Sequence, residues 1–228
     1  MQELKTHSVC GLERGLRLLE IMGNCKVRRT LPELVAQSSL PQSSVHSLLL
    51  TFERQGYIYR HYKTGQYMFA PKLLHLANTS ITGLGLREMA APYLQASANR
   101  LRITTELGVL DNNQVWIIAK YGLPGTLREA TWVGARVPVH CTGIGKAFLA
   151  RLSDEELRTF IRDHGLPRYN DNTLHSERSL RLDLANSRDR GFTISDEECE
   201  LGSRSIAAPI LTEDNRAISA ISVVGTIF

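Results

Sequence analysis

The segment Val139-His140-Cys141-Thr142-Gly143-Ile144-Gly145-Lys146 gathers an imidazole, a thiol, a hydroxyl, two glycines and an ammonium in one short stretch. Two chemistries use such groups: phosphate binding by a glycine loop with a lysine, and nucleophilic or redox work at Cys141 beside a base. The first fails on spacing, because a P-loop needs a glycine five residues before its Gly-Lys pair and a hydroxyl residue after it. Those positions hold His140 and Ala147. The second is not supported by adjacency, since neighbours along an extended chain point to opposite sides. A helix opening at Thr142 would still present free amides, at Gly143 to Lys146, suited to a carboxylate. The run Asp196-Glu197-Glu198 with Glu200 invites a metal-site reading, but a solvated acidic loop or a subunit contact is simpler. No catalytic residue, metal ligand or cofactor is expected.

A different chemistry is written in the first third of the chain. Up to Asn78 there are ten Lys and Arg against five Asp and Glu, and from Thr79 onward seventeen against eighteen. The basic excess thus belongs to the N-terminal part, as expected where a chain meets a polyanion. Within it, Gln42, Ser43, Ser44, His46 and Ser47 crowd the start of an apolar-periodic segment in which Val45, Leu48, Leu49 and Phe52 fall at i, i+3, i+4 and i+7. Small polar residues at a helix start let it approach a DNA groove and direct its dipole at phosphate. Arg60, His61 and Lys63 follow in a basic, aromatic stretch, Tyr57 to Phe69, that reads as two strands about a Lys63-Thr64-Gly65 turn.

The elements that must position these groups follow from periodicity and caps. Leu12, Leu16, Leu19 and Met22 predict a first helix, stopped by Gly23-Asn24. Thr30 is placed to cap a second, with Pro32-Glu33 in its first turn and Leu31, Leu34 and Val35 as its stripe. The recognition-type helix runs from Gln42 to Gly56, and the hairpin after it is a wing. A helical connection follows, beginning at Pro71 and continuing from about Leu84 to Leu101. Its expected stripe is Leu86, Met89, Ala90, Tyr93 and Leu94, with Pro92 available to kink it. From Ile103 the period changes to strands at Ile103–Leu110 and Gln114–Lys120 about an Asp111-Asn112-Asn113 turn, with a third at Leu127–Trp132. A capping box at Ser153 opens a helix with Leu157, Phe160 and Ile161 on one face, and another covers about Arg178 to Arg190. Strands near Ser205–Ala208 and Ala217–Val223 close an α+β domain around a largely antiparallel sheet.

The chain has 228 residues, 43% hydrophobic and 22% charged, which is ordinary globular material. No apolar run reaches the roughly 18 residues that span a bilayer, so no membrane partner is expected. Met1 to His7 lacks the apolar core of a secretory signal. Cys10, Cys25, Cys141 and Cys199 are widely spaced, which fits a reducing, cytoplasmic setting and neither a disulfide scaffold nor a zinc site.

Three pieces of the second domain resemble the IclR family of transcriptional regulators: Gly134 to Ala147; Arg190-Gly191-Phe192 with Asp196 to Pro209; and Ala220 to Gly225. Arg14-Gly15-Leu16, Ser43-Ser44-Val45-His46 and Gly56-Tyr57-Ile58 resemble that family's winged helix in the same order. The resemblance implies a winged helix-turn-helix over 1–70, a helical linker over 71–101 and a GAF-like effector-binding domain over 102–228, with the family's C-terminal helix absent. It also implies a homodimer or homotetramer that binds a double-stranded DNA operator, represses catabolic genes, and answers to a small organic effector such as an organic acid.

The effector contacts that the resemblance carries over are Gly143, Ile144, Ser195, Ser205 and Ser222. The family commonly has an acid where Ser195 stands, a cysteine at Ser205 and a serine at Val224, so a less polar pocket is expected. Ser47 stands where an arginine is frequent in the recognition helix, so the operator is expected to differ. The competing reading is a small-molecule-binding or enzymatic protein that uses its helical domain for protein contact.

Overall fold

The structure, a computed structural model, describes residues 9–24, 28–82, 85–122 and 131–227. The chain divides into two compact units between Ser80 and Ile81. Among the described residues, no helix is long and apolar enough to cross a membrane.

The first unit holds α1 (Cys10–Gly23), α2 (Leu31–Ser38), α3 (Gln42–Arg54), and the hairpin strands β1 (Ile58–Arg60) and β2 (Tyr67–Phe69). Its core is Leu18, Met22, Leu34, Val45, Leu49, Ile58 and Tyr67. The expected stripe on α1 is corrected here. Leu18 is buried, whereas Leu12 and Leu16 are 62% and 52% exposed. Gly15 lies on the packed face instead, and a Cβ there would meet Phe52 Cζ at 3.1 Å. The helix faces α3 along Gly15, Leu18 and Met22, a row that leucine spacing alone does not single out. On α2, Glu33 Oε2 accepts from the Thr30 backbone amide at 2.7 Å, closing a capping box.

The second unit begins in α4 (Lys72–Thr82), which spans the division, and continues through α5 (Leu86–Leu101), β3 (Thr104–Asp111), β4 (Gln114–Tyr121), β5 (Arg136–Val137), α6 (Gly143–Leu149), α7 (Asp154–His164), α8 (Glu177–Arg190), β6 (Thr193–Asp196), β7 (Ser203–Leu211) and β8 (Ala217–Thr226). Six strands form one sheet in the order β5-β4-β3-β8-β7-β6, every neighbouring pair antiparallel. Asn112 and Asn113 both take positive φ, 47° and 59°, which makes the tight β3–β4 hairpin turn. The strand expected at Leu127–Trp132 falls largely outside the described residues, and Thr131 and Trp132 are not in a strand.

Alternation along β3 divides its side chains between two layers. Thr105 and Leu107 face α5, which buries Ala90, Leu94 and Ala98 at i, i+4 and i+8, and Thr105 Oγ1 donates to the Leu94 carbonyl at 3.0 Å. The stripe expected on α5 is therefore shifted, since Met89 and Tyr93 are 69% and 72% exposed. On the other face α6, α7 and α8 enclose the main core, including Ile117, Phe148, Leu157, Phe160, Leu180 and Leu184. The capping box at Ser153 and Glu156 forms as the sequence indicates.

Helix α6 lies unusually close to its surroundings. A Cβ on Gly145 would sit 2.2 Å from the Val139 carbonyl oxygen, and one on Gly143 would sit 2.7 Å from Ser205 Oγ. Gly145→Ala must displace backbone, so a loss of about 1–3 kcal/mol or more is expected. Gly11→Ala, on α1 with nothing within 4 Å of its would-be Cβ, should be neutral or gain up to ~1 kcal/mol. Thermal melts of the two variants followed by circular dichroism check the contrast.

Candidate DNA-binding face and effector cavity

The turn between α2 and α3 passes through Ser39 at φ 56°, and α3 begins after Pro41. With Val45 and Leu49 in the core, the opposite face of α3 is open: Gln42, Ser43, His46 and Ser47 are exposed, and Ser44 is half-buried. No acidic residue stands in the first turn to occupy the helix dipole. Leu50 and Arg54 continue the exposed face at the spacing of one further turn each.

The wing pairs Ile58 with Phe69 and Arg60 with Tyr67, and Tyr67 N donates to the Arg29 carbonyl at 2.8 Å, which ties the hairpin to the chain before α2. At its tip, Arg60 Nε donates to the Gly65 carbonyl at 3.3 Å and its guanidinium lies over Tyr67. His61 Nδ1 accepts from the Thr64 amide at 3.2 Å. Arg60 and His61 therefore shape the turn while Lys63 stays exposed at its tip. Tyr62, 85% exposed and stacked on His61, completes the tip. It was missed as an individual candidate, although the aromatic run that contains it was visible.

The second unit encloses a cavity of about 540 Å³, within the range of small-molecule sites. Its floor is a grid set by strand register. One row runs Thr104–Val224–Ser205–Ser195 across β3, β8, β7 and β6. The next runs Lys120–Glu106–Ser222 across β4, β3 and β8. Ile144, Ser195, Ser205 and Ser222 all line the cavity; Gly143 sits behind the wall. The three serines differ in what they have left to offer. Ser195 Oγ donates to the Cys141 carbonyl at 2.8 Å. Ser205 Oγ accepts from the Gly143 amide at 3.1 Å. Ser222, 1% exposed, has an Oγ with no hydrogen-bond partner.

Two expectations change. Of the amides offered to a carboxylate at the start of α6, three are engaged internally: Gly143 by Ser205 Oγ and Gly145 by Thr142 Oγ1, each at 3.1 Å, and Lys146 by the Thr142 carbonyl at 2.9 Å. Polarity enters instead from charged residues that the sequence reading did not name: Arg102, Glu106, Lys120, Arg136 and Glu200 line the cavity. Lys120 Nζ donates to the Thr131 carbonyl and hydroxyl at 2.7 and 2.8 Å, and lies 3.7 Å from Glu106, which also accepts from Thr131 Oγ1. For Glu106 and Lys120 the signal was present as charged residues within otherwise largely apolar strands; Arg102 and Glu200 lie outside the strands.

Beside the cavity, Lys146 is completely buried, its ammonium 2.5 Å from Glu198 Oε1 and 2.9 Å from Asp183 Oδ2. Burial outweighs the ammonium's pull and holds the Glu198 carboxyl above its ordinary range. The acidic run is thus not one solvated loop. Asp196 pairs with Arg204 at 2.7 Å, Glu197 accepts from the Gly202 amide at 2.6 Å, Glu198 is buried and Glu200 faces the cavity. Among the described residues, no group of three or more His, Cys, Asp or Glu is arranged to hold a metal. His140 Nε2 donates to the Pro167 carbonyl at 2.9 Å, and burial lowers its pKa, so the ring is tied to structure and not to Cys141.

A winged helix-turn-helix followed by an α+β domain with a polar cavity is the architecture of a DNA-binding regulator. Residues 11–61 match the IclR helix-turn-helix domain, and residues 78–228 match the C-terminal domain of bacterial transcriptional regulators of the IclR type. The chain is 33% identical over 224 residues to the transcriptional repressor IclR of Escherichia coli, covering 97% of this chain and 82% of that protein. It is 32% identical over 222 residues to the acetate operon repressor of Salmonella typhimurium, covering 96% and 81%. An IclR homologue from Microbacterium hydrocarbonoxydans, solved in complex with 4-hydroxybenzoate, superposes with a TM-score of 0.83 at 27% identity, covering 95% of this chain and 89% of that one. The chain belongs to the IclR family of transcriptional regulators.

Removing one member of the buried triad should be costly. Lys146→Met leaves the buried Glu198 without its cation, while Asp183 keeps Arg190 at 3.7 Å, and a loss of about 3–5 kcal/mol is expected. Urea unfolding of the variant beside the parent protein measures it, and a change under 1 kcal/mol would show that water reaches the site.

Proposed function

We propose that this regulator represses catabolic genes by binding an operator as a homodimer or homotetramer in the cytoplasm, and that a small organic acid in the cavity relieves or tunes that binding without turnover. The observation that carries the effector half is Ser222: a fully buried hydroxyl without a partner, set in a polar cavity, is a group awaiting a ligand. Arg102, Lys120 and Arg136 supply positive charge for a carboxylate, and Ser203, Ser205 and Thr226 supply hydroxyls. The 4-hydroxybenzoate complex of the Microbacterium homologue supports an acid as effector, and the acetate operon named for the Salmonella relative supports catabolic genes as the target.

DNA binding is assigned to Gln42, Ser43, Ser44, His46 and Ser47 on α3 and to Arg60, His61 and Lys63 in the wing. The open, small-residue face of α3 supports groove entry, and the basic hairpin supports phosphate contact. Leu12 and Leu16 on α1 and Met89 and Tyr93 on α5 are apolar groups left exposed, which supports pairing of copies. Residues 1–70 serve as the DNA-binding part, 71–101 as the connection and 102–228 as the effector domain. Because β3 carries Thr104 and Glu106 in the cavity and Thr105 against α5, a ligand that shifts β3 bears on the connecting helix. The effector then selects one arrangement of the paired helices over another.

Two measurements test the reading. Binding to the DNA upstream of the protein's own gene should exceed binding to random duplex of equal length and fall steeply with salt, and Lys63→Glu should weaken it with a salt slope shallower by about one. Equal retention of both duplexes sinks the operator reading. In a thermal-shift and calorimetric panel of carboxylic, hydroxy and aromatic acids, one class should bind. Ser222→Ala should then weaken that binding by roughly tenfold while leaving the melting temperature of the free protein unchanged or higher, since the hydroxyl makes no bond there.

A further inference from the structure

Thr131 answers two charged side chains at once. Lys120 Nζ donates to its carbonyl at 2.7 Å and to its Oγ1 at 2.8 Å, and the same hydroxyl donates to Glu106 Oε1. Lys120 and Glu106 lie opposite each other in the β3–β4 register, their side chains 8% and 4% exposed, and with Thr131 they line the cavity. Ser222, on the far side of Glu106 in the same row, is the hydroxyl left without a partner. Thr131 itself is half-buried and belongs to no helix or strand. The turn after it is pinned to β4, with Gly134 N donating to the Ile117 carbonyl at 2.7 Å and Ile117 N donating to the Ala135 carbonyl at 2.9 Å. Residue 131 can therefore leave the pair without undoing those bonds. A buried ion pair adds little to stability over apolar residues of the same volume, so its place in a cavity wall is better accounted for by what it recognises.

The chemistry of the threonine names the ligand. An oxygen that accepts from an ammonium and donates to a carboxylate is a hydroxyl. A carboxylate in that position has no proton to give and meets Glu106 as a like charge. The second oxygen on Lys120 is a carbonyl, and in threonine the two are joined as O–C–C–C=O. A 3-hydroxy acid has the same connectivity, with a carboxylate oxygen in place of the peptide carbonyl.

We propose that Lys120 and Glu106 are the hydroxyl-reading end of the cavity, that Thr131 is an internal stand-in for the ligand there, and that the effector is a 3-hydroxy acid that displaces it. The proposal rests on the effector reading above and narrows it. The ligand's hydroxyl accepts from Lys120 and donates to Glu106, its carboxylate accepts from Lys120, and Ser222 offers a further hydroxyl from the next strand. Arg136, in the same cavity wall, offsets the added negative charge. An acid without the hydroxyl leaves Glu106 without the donor that Thr131 gave it, which is the basis of discrimination.

Calorimetry on the full chain with two matched pairs tests this: 3-hydroxybutyrate against butyrate, and 3-hydroxy-3-phenylpropionate against 3-phenylpropionate. In at least one pair the hydroxy acid should bind about tenfold more tightly. Thr131→Val, which keeps the shape and removes the competing hydroxyl, should tighten hydroxy-acid binding roughly threefold. The double variant Lys120→Met with Glu106→Leu replaces the pair by apolar groups of similar size, and should fold and lose the preference. A ratio near one in both pairs, weaker hydroxy-acid binding by Thr131→Val, or a preference kept in the double variant overturns the assignment. Where other acids of the wider panel still bind, the effector reading stands; a blank panel overturns both.

Discussion

The wholly buried ammonium of Lys146 is a constraint around which the second unit is arranged. An isolated charge removed from water costs several kcal/mol even after relaxation, so a wholly buried lysine must be met by counter-charges in good geometry. Asp183 on α8 and Glu198 on the β6–β7 bend meet it, and so two separate pieces of chain converge on α6. That convergence requires α6 to press into its neighbours, which Gly143 and Gly145 permit by having no side chain to obstruct Ser205 and Val139. Gly143-Ile144-Gly145-Lys146, read as chemistry, resembles a failed phosphate loop. In the fold it is a packing device with a charged anchor.

The same anchoring decides what the cavity can offer. Pinning α6 turns the Gly143 amide onto Ser205 and leaves Ser222, one row away in the grid of strands, with nothing to bond. A buried hydroxyl in that state carries a desolvation penalty that a ligand can remove. The Lys120–Glu106–Thr131 cluster works in the other direction. Its members already satisfy one another, so a ligand gains from them only by offering better partners than they hold. On the proposed reading, selectivity for an acid comes from contrast within one cavity, between an unsatisfied hydroxyl and charges that must be won from their partners.

The order of elements was legible because local signals agree with the global fold. The capping boxes at Thr30 and Ser153, the Asn112-Asn113 turn and the alternation of β4 each act within a few residues. Faces were less legible than elements. Leucine spacing on α1 pointed to Leu12 and Leu16, but the close approach of Gly15 to Phe52 rotates the buried row to Leu18. On α5, Ala90 and Leu94 pack as expected, but Ala98 completes the buried row while Met89 and Tyr93 stay exposed, because a helix against a sheet needs proximity as much as bulk. The cavity's serines came only through resemblance, since nothing local marks them. That Glu106 and Lys120 meet on one face of the sheet depends on register between strands, which periodicity alone does not encode.

The DNA-binding unit shows a comparable division of labour. On the proposed face of α3 the exposed side chains are short and mostly uncharged, with Ser47 where an arginine would reach a base edge. Charge is displaced to the hairpin, where Arg60 is already bonded to Gly65 and Lys63 is exposed at the tip beside Tyr62. Phosphate attraction is long-ranged and indifferent to sequence, whereas short polar side chains act only at contact. On the proposed assignment, separating the two on different elements lets the wing hold the duplex while α3 tests it. Discrimination by so few long donors must then lean on groove shape and backbone fit as well as on base-edge hydrogen bonds.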